Sequence, residues 1–447
     1  MKICRLSDRM DVRENDLLMS QRITQRLSQA NPALLSVFAI VAAFCTYSCM
    51  YAFRKPFSAA TYADFPEILG LSYKNILVIS QVIGYMLSKF IGIKVVSEIG
   101  TQRRGWAILG LIGIAEVALL GFGLLPAPYN IAFLFFNGLP LGMVWGLVFS
   151  FLEGRKQTEV MGLGLCASFI FASGFVKDIG RWLMTEGVSE QWMPFTTGLL
   201  FAIPLCLFVW MLTILPNPTA EDEALRTKRA PMDGKARWHF FKTYAPGLVL
   251  LVIVYTVLTA YRDFRDNFMA DIWMDLRGAD DMPSFSSTET PISLIILATL
   301  MLLVLIKDNR KALVVNHLAI LGGVVLAGAS TWAFHQGILS DQGWLLLTGV
   351  GTYLAYIPFN SILFDRMIAA TRQVANVGFL IYLADAFGYL GSVSVLIFKD
   401  FGAAELSWTE FFTNISYALT IIGAAGILMA MFYFRNVFED KPVKEQL

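Results

Sequence analysis

Two arginines, Arg54 and Arg262, stand in strongly apolar surroundings, and each sits in the same short frame. Tyr47-Ser-Cys-Met-Tyr-Ala-Phe-Arg54 aligns with Tyr255-Thr-Val-Leu-Thr-Ala-Tyr-Arg262, with a tyrosine seven residues ahead and Ala-aromatic just before the arginine. Arginine near a bilayer centre costs about 2.5–3.5 kcal/mol on insertion scales, so two at matching positions need a reason. Anion binding is the simplest, because a guanidinium stays charged and offers a planar fork that suits phosphate or carboxylate. Interfacial anchoring or an internal salt-bridge network is the competing reading. Lys89 adds a third cation one helical turn from Tyr85 on the same face. Lys94 lies nearer a helix end and is read as snorkelling to the interface. Asp263, Asp266 and Asp271 surround Arg262 and Arg265, and Asp266, four residues beyond Arg262, is expected to pair with it. Asp385, in LADAFGYLG, is an isolated carboxylate that reads as a salt-bridge partner or a proton carrier. Lys55 belongs with Asp385 and Asp266 in that coupling or salt-bridge group.

The elements that must position these residues are membrane helices. Of 447 residues, 56% are hydrophobic and 15% charged, and the mean hydropathy is +0.60, well outside the usual soluble range. A formal charge of +1 carries no basic excess and argues against a nucleic-acid partner. Runs of about twenty apolar residues predict twelve helices, near 33–63, 73–96, 105–125, 129–152, 159–179, 193–215, 245–275, 290–306, 313–335, 343–364, 374–398 and 409–434. The first is expected to run on unbroken past Arg54. The longest polar connector divides the helices into two sixes, so the chain reads as a cytoplasmic lead-in 1–32, a bundle 33–216, a cytoplasmic linker 217–243, a bundle 244–435 and a cytoplasmic tail 436–447. Most of the 35 Lys and Arg fall on the side of the termini and the linker, with Lys74, Lys177, Arg181, Arg277 and Lys399 assigned to outer loops. Both termini are therefore expected in the cytoplasm, with no cleaved leader. Two parallel six-helix repeats predict an all-α integral membrane protein of the major facilitator fold, with a substrate site between its halves. Gly138, Gly142 and Gly146, four apart, predict a close helix contact. Five cysteines and three histidines show no ligand or nucleophile spacing, so neither a metal, a cofactor nor a catalytic residue is expected.

Several motifs resemble the organophosphate:phosphate antiporter family of the major facilitator superfamily, most closely its glycerol-3-phosphate transporters. Tyr51-Ala-Phe-Arg54-Lys55-Pro-Phe57 is similar to the family's first helix, Tyr85 with Ser88-Lys89-Phe90 to its second, and FLFFNGLPLGMVWG at 133–146 to its fourth. Tyr356-Ile-Pro358 and FGYLGSV at 387–393 resemble helices ten and eleven. The resemblance implies that Arg54 and Arg262 clamp a phosphoryl group, that Lys89 adds charge, and that Tyr47, Tyr51, Tyr85, Tyr356 and Tyr389 line the cavity. Arg265 joins this substrate-binding set. The chain departs at Cys166-Ala-Ser168, where the family commonly has Cys-Ala-His, and at EIGTQRRG, a degraded form of the superfamily loop signature. These departures point to a divergent branch.

The reading is a secondary carrier in the lipid bilayer, a monomer and not an enzyme, that exchanges or imports a small anionic, phosphorylated metabolite by alternating access, with Arg54 and Arg262 binding the anion; the resemblance implies exchange of an organic phosphate for inorganic phosphate. In a bacterium it would lie in the inner membrane. A proton-coupled carboxylate or sugar-acid symporter of the same fold, with Asp385 titrating, stands beside it. A non-transporting receptor for phosphate esters is the alternative from another class.

Overall fold

Pro56 decides where the first helix stops. Proline has no N–H to donate to the carbonyl four residues back, and its ring clashes with that carbonyl; here that residue is Ala52, so α1, Pro32–Ala52, ends short of Arg54. The chain makes an open turn and resumes as a 3-10 segment, Pro56–Ala59. The unbroken helix expected over 33–63 is thus corrected: Arg54 and Lys55 lie in a break within the bundle. The computed structural model describes residues 19, 21–219, 222, 234–371 and 377–439. Most of the expected lead-in and tail, and the middle of the linker, lie outside the described residues, as does the side chain of Lys94.

The remaining long helices are α2 Tyr73–Glu98, α3 Arg104–Leu124, α4 Ile131–Leu152, α5 Thr158–Thr185, α6 Met193–Thr213, α7 Gly234–Asn267, α8 Ser286–Val304, α9 Asn309–His335, α10 Asp341–Ser361, α11 Val377–Gly402 and α12 Trp408–Glu439. Among the described residues ten helices are long and apolar enough to cross a membrane, and α10 with the short helix after it, bent by 48°, makes an eleventh. α11, at the place of the remaining expected span, brings the long helices to twelve. The seventh differs in detail: α7 stops at Asn267 and a separate short helix, Met269–Arg277, follows.

Helix contacts repeat between the halves. In the first, α1 packs on α5 and α6, α2 on α4, and α3 on α4 and α6; in the second, α7 packs on α11 and α12, α8 on α10, and α9 on α10 and α12. Each of these contacts returns six helices later, the pattern of two pseudo-symmetric bundles of the major facilitator fold. Within the first bundle, Gly138 lets α4 come against the backbone of α2 at Gln81, where a methyl group would overlap the Gln81 carbonyl.

The halves meet chiefly where α5 packs on α8 and α2 on α11, two contacts that the same symmetry exchanges. Each carries a carboxylate that caps a helix of the other half. Asp178 on α5 accepts from the backbone N–H groups of Phe285, 2.7 Å, and Ser286, 2.8 Å, at the start of α8. Asp400 on α11 accepts from the N–H of Ser72, 3.2 Å, and from Asn75 Nδ2, 2.5 Å, at the start of α2. A carboxylate at a helix N-terminus satisfies orphan donors and meets the positive end of the dipole. Both acids come from one repeated tetrapeptide, Lys177-Asp-Ile-Gly180 and Lys399-Asp-Phe-Gly402. Lys177 and Lys399 therefore sit on helices and are buried, and Lys74 is buried in the first turn of α2; assigning them to outer loops is corrected. α1 starts and α12 finishes at one end of the bundle, so these caps lie at the opposite end.

Each cap is worth about 1 kcal/mol. Replacing Asp178 and Asp400 together by alanine should loosen that end roughly tenfold or more. The check is the thiol reactivity of a cysteine introduced by Ser58→Cys in a cysteine-free background; an unchanged rate would refute the role of the caps.

Candidate functional site

A helix break inside a membrane leaves backbone carbonyls that water cannot reach, and each must find a donor within the protein. Two side chains meet this need after α1. Asn137, fully buried on α4, donates through Nδ2 to the carbonyls of Phe53, 2.9 Å, and Ala115, 3.1 Å. Gln81 on α2 donates through Nε2 to the carbonyl of Arg54, 3.0 Å, and to Asn137 Oδ1, 2.8 Å. The segment carrying Arg54 is thus held from two neighbouring helices, and its guanidinium is aimed by the break itself.

Arg54 faces a cavity between the halves. Tyr47, Tyr51, Arg54, Tyr85 and Lys89 line it from α1, α2 and the break between them, with Trp145 and Phe169 from α4 and α5. Arg262, Tyr356, Asn360, Ile381, Asp385 and Tyr389 line it from α7, α10 and α11. Eight of the nine residues expected to bind substrate therefore reach one space. The guanidinium of Arg54 lies 3.8 Å from the ring centroid of Tyr85, and that of Arg262 lies 4.3 Å from the ring of Tyr356. Each arginine rests on an aromatic face supplied by its own half. Tyr85 and Tyr389 close an edge-to-face pair across the halves at 5.4 Å.

The charges of the cavity are not equal. Arg262 is paired with its neighbour Asp263, whose second oxygen accepts from Ser392 Oγ at 2.8 Å. Lys89 lies 3.3 Å from Asp385, an ion pair that joins α2 to α11. Asp385 also accepts from the Tyr255 hydroxyl at 2.6 Å, and Asn360 Nδ2 donates to that hydroxyl at 3.2 Å. Arg54 has no carboxylate partner among the described residues, and its Nε is buried without an acceptor. The cavity therefore carries one uncompensated positive charge, on Arg54.

Two expectations are corrected. Arg265 does not line the cavity: it is 1% exposed, paired with Glu289 of α8 at 2.8 Å and donating to the Leu345 carbonyl at 3.0 Å. Three residues beyond Arg262 on a helix is a turn of about 300°, enough to carry its long side chain to α8 and α10. Asp266 does not pair with Arg262. It lies in the last turn of α7, where two buried ammonium groups of the other half reach it, Lys55 at 2.5 Å and Lys177 at 2.7 Å. Lys55 also donates to Asn267 Oδ1 at 2.8 Å, and beyond it Lys74 meets Asp271 at 2.5 Å. Lys55 and Asp266 are thus a bridge between the halves, beside the cavity. Residues that sequence reasoning missed include Trp145, Phe169 and Asn360, uncharged positions in apolar helices with no periodic signal of their own. Asn137 and Gln81 were missed too, although a buried amide in a membrane helix is itself a sign of a backbone partner.

A model for a family of unknown function, DUF5690, matches residues 56–437 and so spans both halves. The chain belongs to the DUF5690 family. No curated protein matches this DUF5690 member. Among solved structures, a peptide transporter, POT, in complex with sulfate is 15% identical with a TM-score of 0.60, over 93% of this chain and 99% of that one. A bacterial homolog of the human lysosomal transporter Spinster, inward-facing and unoccupied, is 11% identical with a TM-score of 0.59, over 93% and 100%. A D-xylose-proton symporter is 15% identical with a TM-score of 0.55, over 89% and 96%. At these identities the likeness is one of fold.

In this DUF5690 protein, Asn137→Leu removes the donor of the buried Phe53 carbonyl, an acceptor of Gln81 and a second donor of the Ala115 carbonyl, the first loss alone worth about 1–3 kcal/mol. Unfolding of the purified variant in detergent should show a loss of roughly 2–4 kcal/mol, against near-neutral replacement of the exposed Leu199 by alanine. Equal stability of the two variants would contradict the account of the break.

Proposed function

We propose that the protein is a secondary transporter that moves a small anionic, phosphorylated metabolite across the membrane by alternating access, exchanging it for inorganic phosphate. The observation that carries this reading is the lone charge of Arg54 in a cavity between the halves where the other two cations are already paired. A buried cation without a counter-ion is costly, and an anion from solution relieves that cost. The family resemblance of the motifs around Arg54, Lys89 and Tyr389 supports phosphate esters as the anion.

The charge balance suggests how binding proceeds. One negative charge of the ligand neutralises Arg54, with Tyr47 and Tyr51 beside it. A second negative charge is accommodated when Lys89 turns from Asp385 toward the ligand, leaving Asp385 with the Tyr255 hydroxyl. Because Lys89 and Asp385 belong to different halves, that exchange weakens a contact between them and makes the two access states respond to the ligand. On this reading 33–216 and 244–435 are the moving bundles, and the termini and the 217–243 linker face the cytoplasm, where basic residues concentrate.

Asp385 favours a second reading, a proton-coupled symporter for a carboxylate, in which Asp385 takes a proton and releases Lys89. Proteoliposomes loaded with phosphate and offered a panel of phosphate esters and carboxylates separate these readings from each other and from a receptor, which binds without flux. Counterflow of phosphate esters independent of a pH gradient is expected. Arg54→Lys keeps the charge but loses the planar fork, and should reduce that flux by tenfold or more, about 1.4 kcal/mol or greater; undiminished flux would sink the proposal. Asp385→Asn frees Lys89 and should tighten phosphate-ester binding, whereas loss of a pH-driven uptake in that variant would establish the symporter instead.

A further inference from the structure

Outside the cavity one carboxyl group has no account in the transport reading. Glu116 lies midway along α3 within WAILGLIGIAEVALLGF. Both of its carboxyl oxygens are buried and neither has a hydrogen-bond partner. The carboxyl is seated against α6 at Gly198, where a methyl group would overlap it.

Among the described residues no cation is within reach. α3 packs on α4, on α6 and on the 3-10 turn Thr101–Arg103. α4 and α6 contain no Asp, Glu, Lys, Arg or His, and Cys206 on α6, eight residues from Gly198, is their one titratable side chain. The only other charged groups on α3 and the turn are Arg104 and Arg103, twelve and thirteen residues away, about 18 Å or more along the helix. The nearby hydroxyl of Thr197 is used on its own helix, donating to the Met193 carbonyl at 2.8 Å. The amide of Asn137, which reaches the carbonyl of the adjacent Ala115, is spent on backbone. An ionised carboxylate with neither cation nor donor in a low-dielectric seam is far less stable than the neutral acid.

We propose that Glu116 is a proton-binding site within the membrane, holding its proton at neutral pH and presenting a neutral carboxylic acid in the seam between α3 and α6. The neighbouring Ile114, Val117, Leu199 and Leu200 are all exposed on the apolar surface, so the seam opens toward lipid. Its chemical partner is a lipophilic carbodiimide. The acid proton passes to a carbodiimide nitrogen as the carboxyl oxygen bonds to the central carbon, giving an O-acylisourea, and acyl migration to nitrogen gives a stable N-acylurea with no atom lost. Asp385 differs, with the ammonium of Lys89 and the hydroxyl of Tyr255 against it. The inference does not depend on the identity of the transported anion.

The test is treatment of the wild-type protein in liposomes with N,N'-dicyclohexylcarbodiimide at neutral pH, followed by mass spectrometry of its peptides. The adduct is expected on Glu116, at least about tenfold faster than on Asp385, and is absent with Glu116→Gln. A cationic, water-soluble carbodiimide should leave Glu116 unmodified. Absence of an adduct on Glu116, or an adduct formed only by the water-soluble reagent, overturns the proposal. Infrared spectroscopy gives a second readout: the wild type should show a protonated carboxyl carbonyl band that Glu116→Gln removes, and identical spectra in that region refute it.

Discussion

The site depends on a backbone break made safe in a place without water. Pro56 stops α1, and the carbonyls of Phe53 and Arg54 then lie inside the bundle with no helical donor. Asn137 and Gln81 supply those donors from α4 and α2, and in doing so fix the direction of Arg54. Without the break, Arg54 would follow the helical register; without the amides, the break would be too costly to keep. The close approach at Gly138, which brings α4 onto the backbone of α2 at Gln81, is part of the same construction.

Around this point the buried charges are arranged almost in balance. Arg262 meets Asp263, Lys89 meets Asp385, Arg265 meets Glu289, and Lys74 meets Asp271. Such pairs contribute little net stability, since desolvation offsets most of the attraction, but removing one partner leaves an expensive charge. Their value lies in defining where charge is missing. That place is Arg54, at the cavity between the halves. Asp266, shared by Lys55 and Lys177, leaves a further excess of positive charge beside it.

The two halves are held at one end by interactions that the pseudo-twofold exchanges. Asp178 caps α8 and Asp400 caps α2, while Lys55, Lys177 and Lys74 reach acids of the second half. All of these break if the halves part at that end, and all are polar, so water can replace them there. A contact of this composition is separable in a way that an apolar seam of equal area is not.

Much of the architecture was legible from residue order alone. Apolar runs of membrane length marked the twelve spans, because in lipid a helix is the only local structure that satisfies its own backbone. The matched frames of Tyr47 to Arg54 and Tyr255 to Arg262 pointed to two related halves, and intramembrane charge singled out Arg54, Lys89, Arg262 and Asp385, since charge there is too costly to be incidental. What sequence periodicity could not supply was partnership. Asp266 shares a helix face with Arg262, yet it belongs to Lys55 and Lys177, which approach from the other half. Arg265 looked equivalent to Arg262, yet Glu289 on α8 holds it away from the cavity. The end of α1, the amides that sustain it and the isolation of Glu116 are likewise set by which helices touch. Those contacts join residues tens to hundreds of positions apart, and only tertiary packing decides them.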